Sequence, residues 1–114
     1  MNPMSDQSDL LDKLQSAFSA GRIQWQKHAL TKMLERGITR TDVIFTIKNG
    51  EVIEYYPTDR PFPSALILKT SDNRTLHVVT AYDVSTAMAF VITTYMPDQR
   101  HFLPDCRTRR LENE

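Results

Sequence analysis

The sequence predicts an α+β domain in which three N-terminal helices pack on a four-stranded, mainly antiparallel sheet. Three observations carry this. Apolar residues recur at helical spacing before residue 50 and with period two after it. The pair Asn49-Gly50 stands at the changeover. The last three apolar runs are joined by short turns, which suit antiparallel partners, and helices followed by consecutive strands suit an α+β arrangement.

Residues 1–7 read as a disordered lead, 8–110 as one domain and 111–114 as a disordered tail. Ser8 is a plausible N-cap for a helix carrying Leu10, Leu11, Leu14, Ala17 and Phe18, which Gly21 ends. A second helix is expected over Gln26–Arg36, with Ala29, Leu30, Met33 and Leu34 as its apolar stripe and Gly37 as its stop. Thr39, with Asp42 three residues on, opens a third helix that buries Val43, Ile44 and Ile47. Strands are expected over 51–56, 64–70, 74–82 and 88–96, with a proline-stiffened connection at 57–63 and a turn at 71–73. Lys69 reads as an edge-strand lysine that discourages sheet-to-sheet association. Beyond Pro97 comes a basic tail with a short helical turn.

Composition narrows the function. Fourteen acidic side chains balance fourteen basic ones, which argues against an indiscriminate nucleic-acid binder but leaves room for a local basic patch. The imbalance is positional: Asp6, Asp9 and Asp12 come early, and Arg100, Arg107, Arg109 and Arg110 come late. The single cysteine, Cys106, excludes an internal disulfide and fits a reducing cytoplasm. No secretory signal or membrane span is expected, and no membrane partner. No zinc spacing, phosphate-cradling glycine loop or nucleophile elbow is present, so neither a metal nor a cofactor is expected.

Several side chains are suited to chemistry. His28, Lys32, Glu35 and Arg36 share one arc of the second helix, away from its apolar stripe. That arc is either a solvated face or an imidazole and a guanidinium directed at one anion. His77 stands mid-strand among apolar neighbours, as a buried histidine with one partner or as a catalytic imidazole on the open sheet face. Tyr55, Tyr56, Tyr82 and Tyr95 suit sheet packing, with base stacking or hydrogen bonding as the alternative. Strict alternation puts Thr94 on the face of Phe90 and Ile92, with Thr93 and Tyr95 opposite. His101, Cys106 and the tail arginines are a weak metal or anion signal.

His28-Ala29, Met33-Leu34-Glu35-Arg36-Gly37-Ile38, Asn49-Gly50-Glu51-Val52-Ile53-Glu54, Pro63-Ser64, Leu76-His77-Val78-Val79 and Thr94-Tyr95 occur in that order. Over about Ile23 to Arg110 this set resembles the bacterial family called domain of unknown function 4258. That family is similar to the RelE-like and BrnT-like toxin folds, and its members often stand beside small antitoxin-type proteins. The resemblance implies a cytoplasmic, metal-independent endoribonuclease toxin with RNA as substrate and an antitoxin-like protein as partner. Carried over, the catalytic positions are His28, Arg36, His77, Thr94 and Tyr95. Lys32 stands where the family more often has arginine, which keeps the charge and loses the bidentate fork. On this reading His77 or His28 takes the proton of a ribose 2′-hydroxyl, the other imidazole or Tyr95 protonates the leaving oxygen, and Arg36 stabilises the phosphate. The alternative is a non-catalytic binding or interaction domain related to the toxin fold, which the neutral charge suits better.

Overall fold

The computed structural model describes residues 3–72 and 74–110. Helix α1 (Pro3–Ser19) is followed by strand β1 (Ile23–Trp25), helices α2 (Lys27–Arg36) and α3 (Arg40–Asn49), and strands β2 (Glu51–Tyr56), β3 (Ser64–Ser71), β4 (Arg74–Asp83) and β5 (Met88–Tyr95). The sheet is five-stranded in the order β1-β5-β4-β3-β2. All neighbours are antiparallel except β1, which runs parallel to β5.

The α+β class and three helices are as expected, but the sheet is mixed and has five strands rather than four. The missed strand, β1, is three residues long and lies between the first two helices, too short for any periodicity to show. Its register, Ile23 opposite Ala89 and Trp25 opposite Val91, puts it on the outer edge of β5.

Local chemistry explains most helix ends. Helix α1 begins at Pro3, so Ser8 lies inside the helix rather than capping it, and residues 3–7 of the expected lead are helical. Residues 1–2 and the expected tail at 111–114 lie outside the described residues. Gly21 (φ 77°) closes α1, with Arg22 N donating to Ala17 O at 2.9 Å and Gly21 N to Phe18 O at 3.3 Å. This is the left-handed turn in which glycine carries no Cβ penalty. Gly37 (φ 67°) ends α2 in the same way, with Ile38 N on Met33 O at 2.9 Å. Thr39 and Asp42 form the reciprocal cap expected for α3: Asp42 N donates to Thr39 Oγ1 at 3.0 Å and Thr39 N to Asp42 Oδ2 at 2.9 Å.

The helices cover one face of the sheet. Leu10, Leu14, Ala17 and Phe18 of α1, Ala29 and Met33 of α2, and Val43 and Ile47 of α3 pack on Ala65, Ile67, Val78, Tyr82, Ala89 and Val91. Fully buried side chains such as Leu14 and Ile47 each contribute about 2 kcal/mol of transfer free energy. Leu34, expected in the α2 stripe, is 86% exposed. It lies one step off the Ala29–Met33 line, and α2 makes its main sheet contact with β5 alone, so only a narrow arc of the helix is covered.

Lys69 also differs from expectation. It lies on β3, an inner strand, one residue past the Glu51–Leu68 pair where β2 begins. Lys69 is therefore not on an edge strand, although the side of β3 toward β2 is unpaired at this residue.

The second face carries Glu51, Glu54 and Tyr56 of β2, Leu66 and Leu68 of β3, His77 and Val79 of β4, and Phe90, Thr93 and Tyr95 of β5, as the cross-strand pairing requires. Two segments fold over it. At one end the 57–63 connection lies down, with Phe62 stacked on Phe90 (centroids 5.2 Å, 13°) and Ser64 Oγ donating to Asp59 Oδ2 at 2.5 Å. At the other end residues 97–110 return across the strands through the short helical turn expected, with Phe102 N donating to Asp98 O at 3.0 Å, further turns and one bridge between Phe102 and Arg109.

Candidate functional site

The register of β4 and β5 assembles the site. Thr80 pairs with Val91 and Val79 with Thr93, which leaves Ile92 as an extra residue on β5. This bulge shifts the alternation by one. Thr94 therefore falls on the helix side with Ala89 and Val91, and Tyr95 falls on the second face directly opposite His77. Strict alternation had put Thr94 with Phe90 and Ile92; the bulge overturns that.

His77 is fully buried at the centre of this face. Its Nε2 lies 2.6 Å from the Cys106 carbonyl oxygen and so carries the proton. Nδ1, left as an acceptor, lies 3.4 Å from the Tyr95 hydroxyl, a long hydrogen bond that Tyr95 donates. The Tyr95 oxygen consequently presents lone pairs outward. Burial pushes the His77 imidazole below its ordinary value, partly offset by the hydrogen bond to Cys106 O. Burial likewise raises the Tyr95 phenol and keeps it protonated.

The returning segment supplies the wall. Phe102 is 2% exposed and meets the His77 ring edge-on (4.6 Å, 89°). The Arg109 guanidinium lies 4.8 Å from the Phe102 ring centroid, while its Nε donates to Glu54 Oε2 at 2.8 Å. Glu54 also accepts from Tyr56, and Arg107 pairs with Glu51. Two of the four late arginines, Arg107 and Arg109, are thus tied to the acids of β2.

Arg36 approaches from the end of α2. Among the described residues no strand lies outside β5 beyond Val91, and Arg36 Nη1 donates to the Thr94 carbonyl there at 2.8 Å. The Thr94 hydroxyl donates to His77 O at 2.8 Å. Between these elements opens a cleft of about 440 Å³ lined by Arg36, Tyr95, Met96, Asp98, His101, Phe102 and Arg109.

Of the five candidate residues, the structure brings Arg36, His77, Thr94 and Tyr95 together. His28 is not with them. It is exposed on the first turn of α2, about 12 Å along the helix axis from Arg36, and does not line the cleft. Lys32 pairs with Glu35 at 3.3 Å, so the polar arc of α2 is a solvated face except at Arg36. The paired-imidazole arrangement of His28 and His77 is absent, because one ring is buried under residues 97–110 and the other lies at the far end of α2. Asp98 was not singled out, and His101 and Arg109 entered only through the weak metal or anion signal of the tail. Two signals point to them in retrospect: the Asp98-x-x-His101 spacing, and the match of Glu51 and Glu54 to Arg107 and Arg109.

Two guanidinium groups, a carboxylate, an imidazole and a phenol line this cleft, and the buried His77 lies behind Tyr95 and Phe102. Among the described residues, no three His, Cys, Asp or Glu side chains come together as a metal-ligand set. No described helix is long and apolar enough to cross a membrane. An α+β domain with an arginine-walled cleft at the end of its sheet is the class that fold and site define. The chain belongs to the family described as Domain of unknown function (DUF4258), whose model matches residues 25–96, more than half of its length. No curated protein and no solved structure matches it significantly. The family match ends at Met96, so Asp98, His101 and Arg109 lie outside it.

Proposed function

We propose that the cleft holds one phosphodiester of RNA and that the chain is a metal-independent endoribonuclease toxin neutralised by a small antitoxin-like protein. The supporting observation is the convergence of Arg36 and Arg109 on one cleft beside Tyr95. Guanidinium groups from two sides match the two non-bridging oxygens of a phosphate, and they strengthen as charge builds on those oxygens. Cleavage proceeds by attack of the neighbouring ribose 2′-hydroxyl on phosphorus with departure of the 5′-oxygen. The product ends are a 2′,3′-cyclic phosphate and a 5′-hydroxyl.

The test is incubation of the pure protein with end-labelled single-stranded RNA in excess chelator. Cyclic-phosphate ends are expected, and they are lost in Arg36→Ala. Growth arrest on expression, relieved by co-expressing the neighbouring small reading frame, tests the toxin part. Intact RNA and normal growth at high expression would reject the reading.

A second reading has an observation of its own. The Arg109 guanidinium is already paired with Glu54 and the chain is neutral overall, which suits a non-catalytic domain that binds a phosphate-bearing or acidic partner. Retained RNA binding without cleavage supports that reading.

A further inference from the structure

The cleft holds an imidazole that neither the family match nor the motif set includes. His101 lines it, is 68% exposed at its side chain, and places Nδ1 2.9 Å from Asp98 Oδ1. The same carboxylate oxygen accepts the backbone N–H groups of Arg100 and His101, each at 2.9 Å. Asp98 is thus fixed by its own turn before it meets the ring. The His101 side-chain hydrogen bond first, and these backbone bonds after it, hold the Asp98 carboxyl below the usual range, so it is ionised at neutral pH. An ionised carboxylate on Nδ1 requires the proton there and leaves Nε2 as the basic nitrogen. Nε2 has no protein partner among the described residues.

His77 contrasts with it at every point. It is fully buried, both ring nitrogens are engaged, and burial disfavours its charged form. A group so placed positions Tyr95 and cannot reach a substrate atom.

We infer that His101, aligned by Asp98, is the imidazole that faces the phosphodiester in this cleft and the general base for its cleavage. The inference rests on the ribonuclease reading given above. Nε2 takes the proton of the attacking 2′-hydroxyl as the O2′–P bond forms. The P–O5′ bond breaks, and the leaving 5′-oxygen takes a proton from water admitted by the open cleft. The His101 imidazolium then returns its proton to the hydroxide so formed. Arg36 and Arg109 hold the phosphate throughout, and the lone pairs of Tyr95 accept from a ribose hydroxyl or a guanidinium.

Two measurements on the full chain test this. In the first, a 2′-deoxy dinucleoside monophosphate, which has the phosphodiester but no attacking hydroxyl, is titrated while the histidine ring nitrogens are followed by NMR. The His101 Nε2 resonance is expected to move, with His28, outside the cleft, as the internal reference. In the second, His101→Gln is expected to lower kcat by about 10²-fold or more with KM little changed, whereas Arg36→Ala lowers kcat and raises KM together, enough to remove product from the end-label assay. Asp98→Asn, as a positioning change, is expected to weaken the Nδ1 hydrogen bond in the same spectra and to lower kcat less.

A wild-type protein that cleaves RNA while His101→Gln cleaves equally well overturns the inference and leaves the ribonuclease reading standing. An unmoved Nε2 resonance at saturating dinucleotide overturns it as well. A wild-type protein that cleaves nothing overturns the ribonuclease reading and with it the base role.

Discussion

His77 Nε2 and the Cys106 carbonyl oxygen lie 2.6 Å apart, joining the central strand to a segment 29 residues further along the chain. The bond holds residues 97–110 over the second sheet face, and with them the wall of the cleft. Burial of the ring, partly offset by that bond, makes this closure sensitive to acid. The folded protein resists protonation of His77, while the unfolded chain takes a proton near the ordinary value of 6.5. Below that value the unfolded state binds more protons, so unfolding free energy falls as pH falls. The His77 contribution is fully present above pH 6.5 and is lost progressively below it. Urea midpoints measured down to about pH 5, above the carboxylate range, are expected to show this decline, and His77→Gln is expected to flatten it.

The exposed Arg36 side chain covers the Thr94 carbonyl at the sheet edge, and water takes its place once the guanidinium is removed, so its loss has little structural cost. Arg36→Ala is expected to change stability by less than about 1 kcal/mol. It should weaken RNA binding and make the salt dependence of binding shallower by about one contact. Arg109→Ala is expected to do both and also to destabilise the fold by about 1–2 kcal/mol, since it leaves the mostly buried Glu54 carboxylate with Tyr56 but without its charged partner. Chemical denaturation beside a salt series of binding isotherms separates the two variants.

Gly50 is required for space rather than for its backbone angle. A Cβ there would lie 2.4 Å from the Thr46 carbonyl oxygen and 2.6 Å from that of Leu68. Both are backbone atoms and cannot rotate away. Gly50→Ala is expected to cost about 2–3 kcal/mol, lowering Tm by roughly 10 °C in a circular-dichroism melt. Gly21→Ala meets open space and bears only the left-handed backbone penalty of about 1–2 kcal/mol, so it is the milder change.

Thr80 sits beside the bulge with its hydroxyl buried and without a hydrogen-bond partner. Thr80→Val replaces that hydroxyl with a methyl of similar size. It is expected to raise stability by about 1 kcal/mol, read as a higher urea midpoint with an unchanged m value.

The features legible in the sequence share one property: their causes lie within a few residues. The Thr39–Asp42 cap, the glycine ends of α1 and α2, and the four long strands follow from neighbours in the chain. Strand β1 was not legible, since three residues show no period and their stability comes from β5. The exposure of Leu34 depends on how little of α2 is covered. Arg109 and His101 sit in a segment without periodicity, and only its return across the sheet gives them a setting.

The α+β class, the order of the long elements and the family were determined by the sequence itself, through hydrophobic period, capping chemistry and an ordered set of motifs. The tertiary structure decided which polar residues meet. One extra residue, Ile92, shifts β5 by one and turns Tyr95 toward His77 and Thr94 away. A bulge leaves no mark in the alternation before it, because it is stabilised by pairing with β4 and not by its own residues. Burial of His77 and exclusion of His28 follow from the same cause: both are set by contacts between segments far apart in the chain.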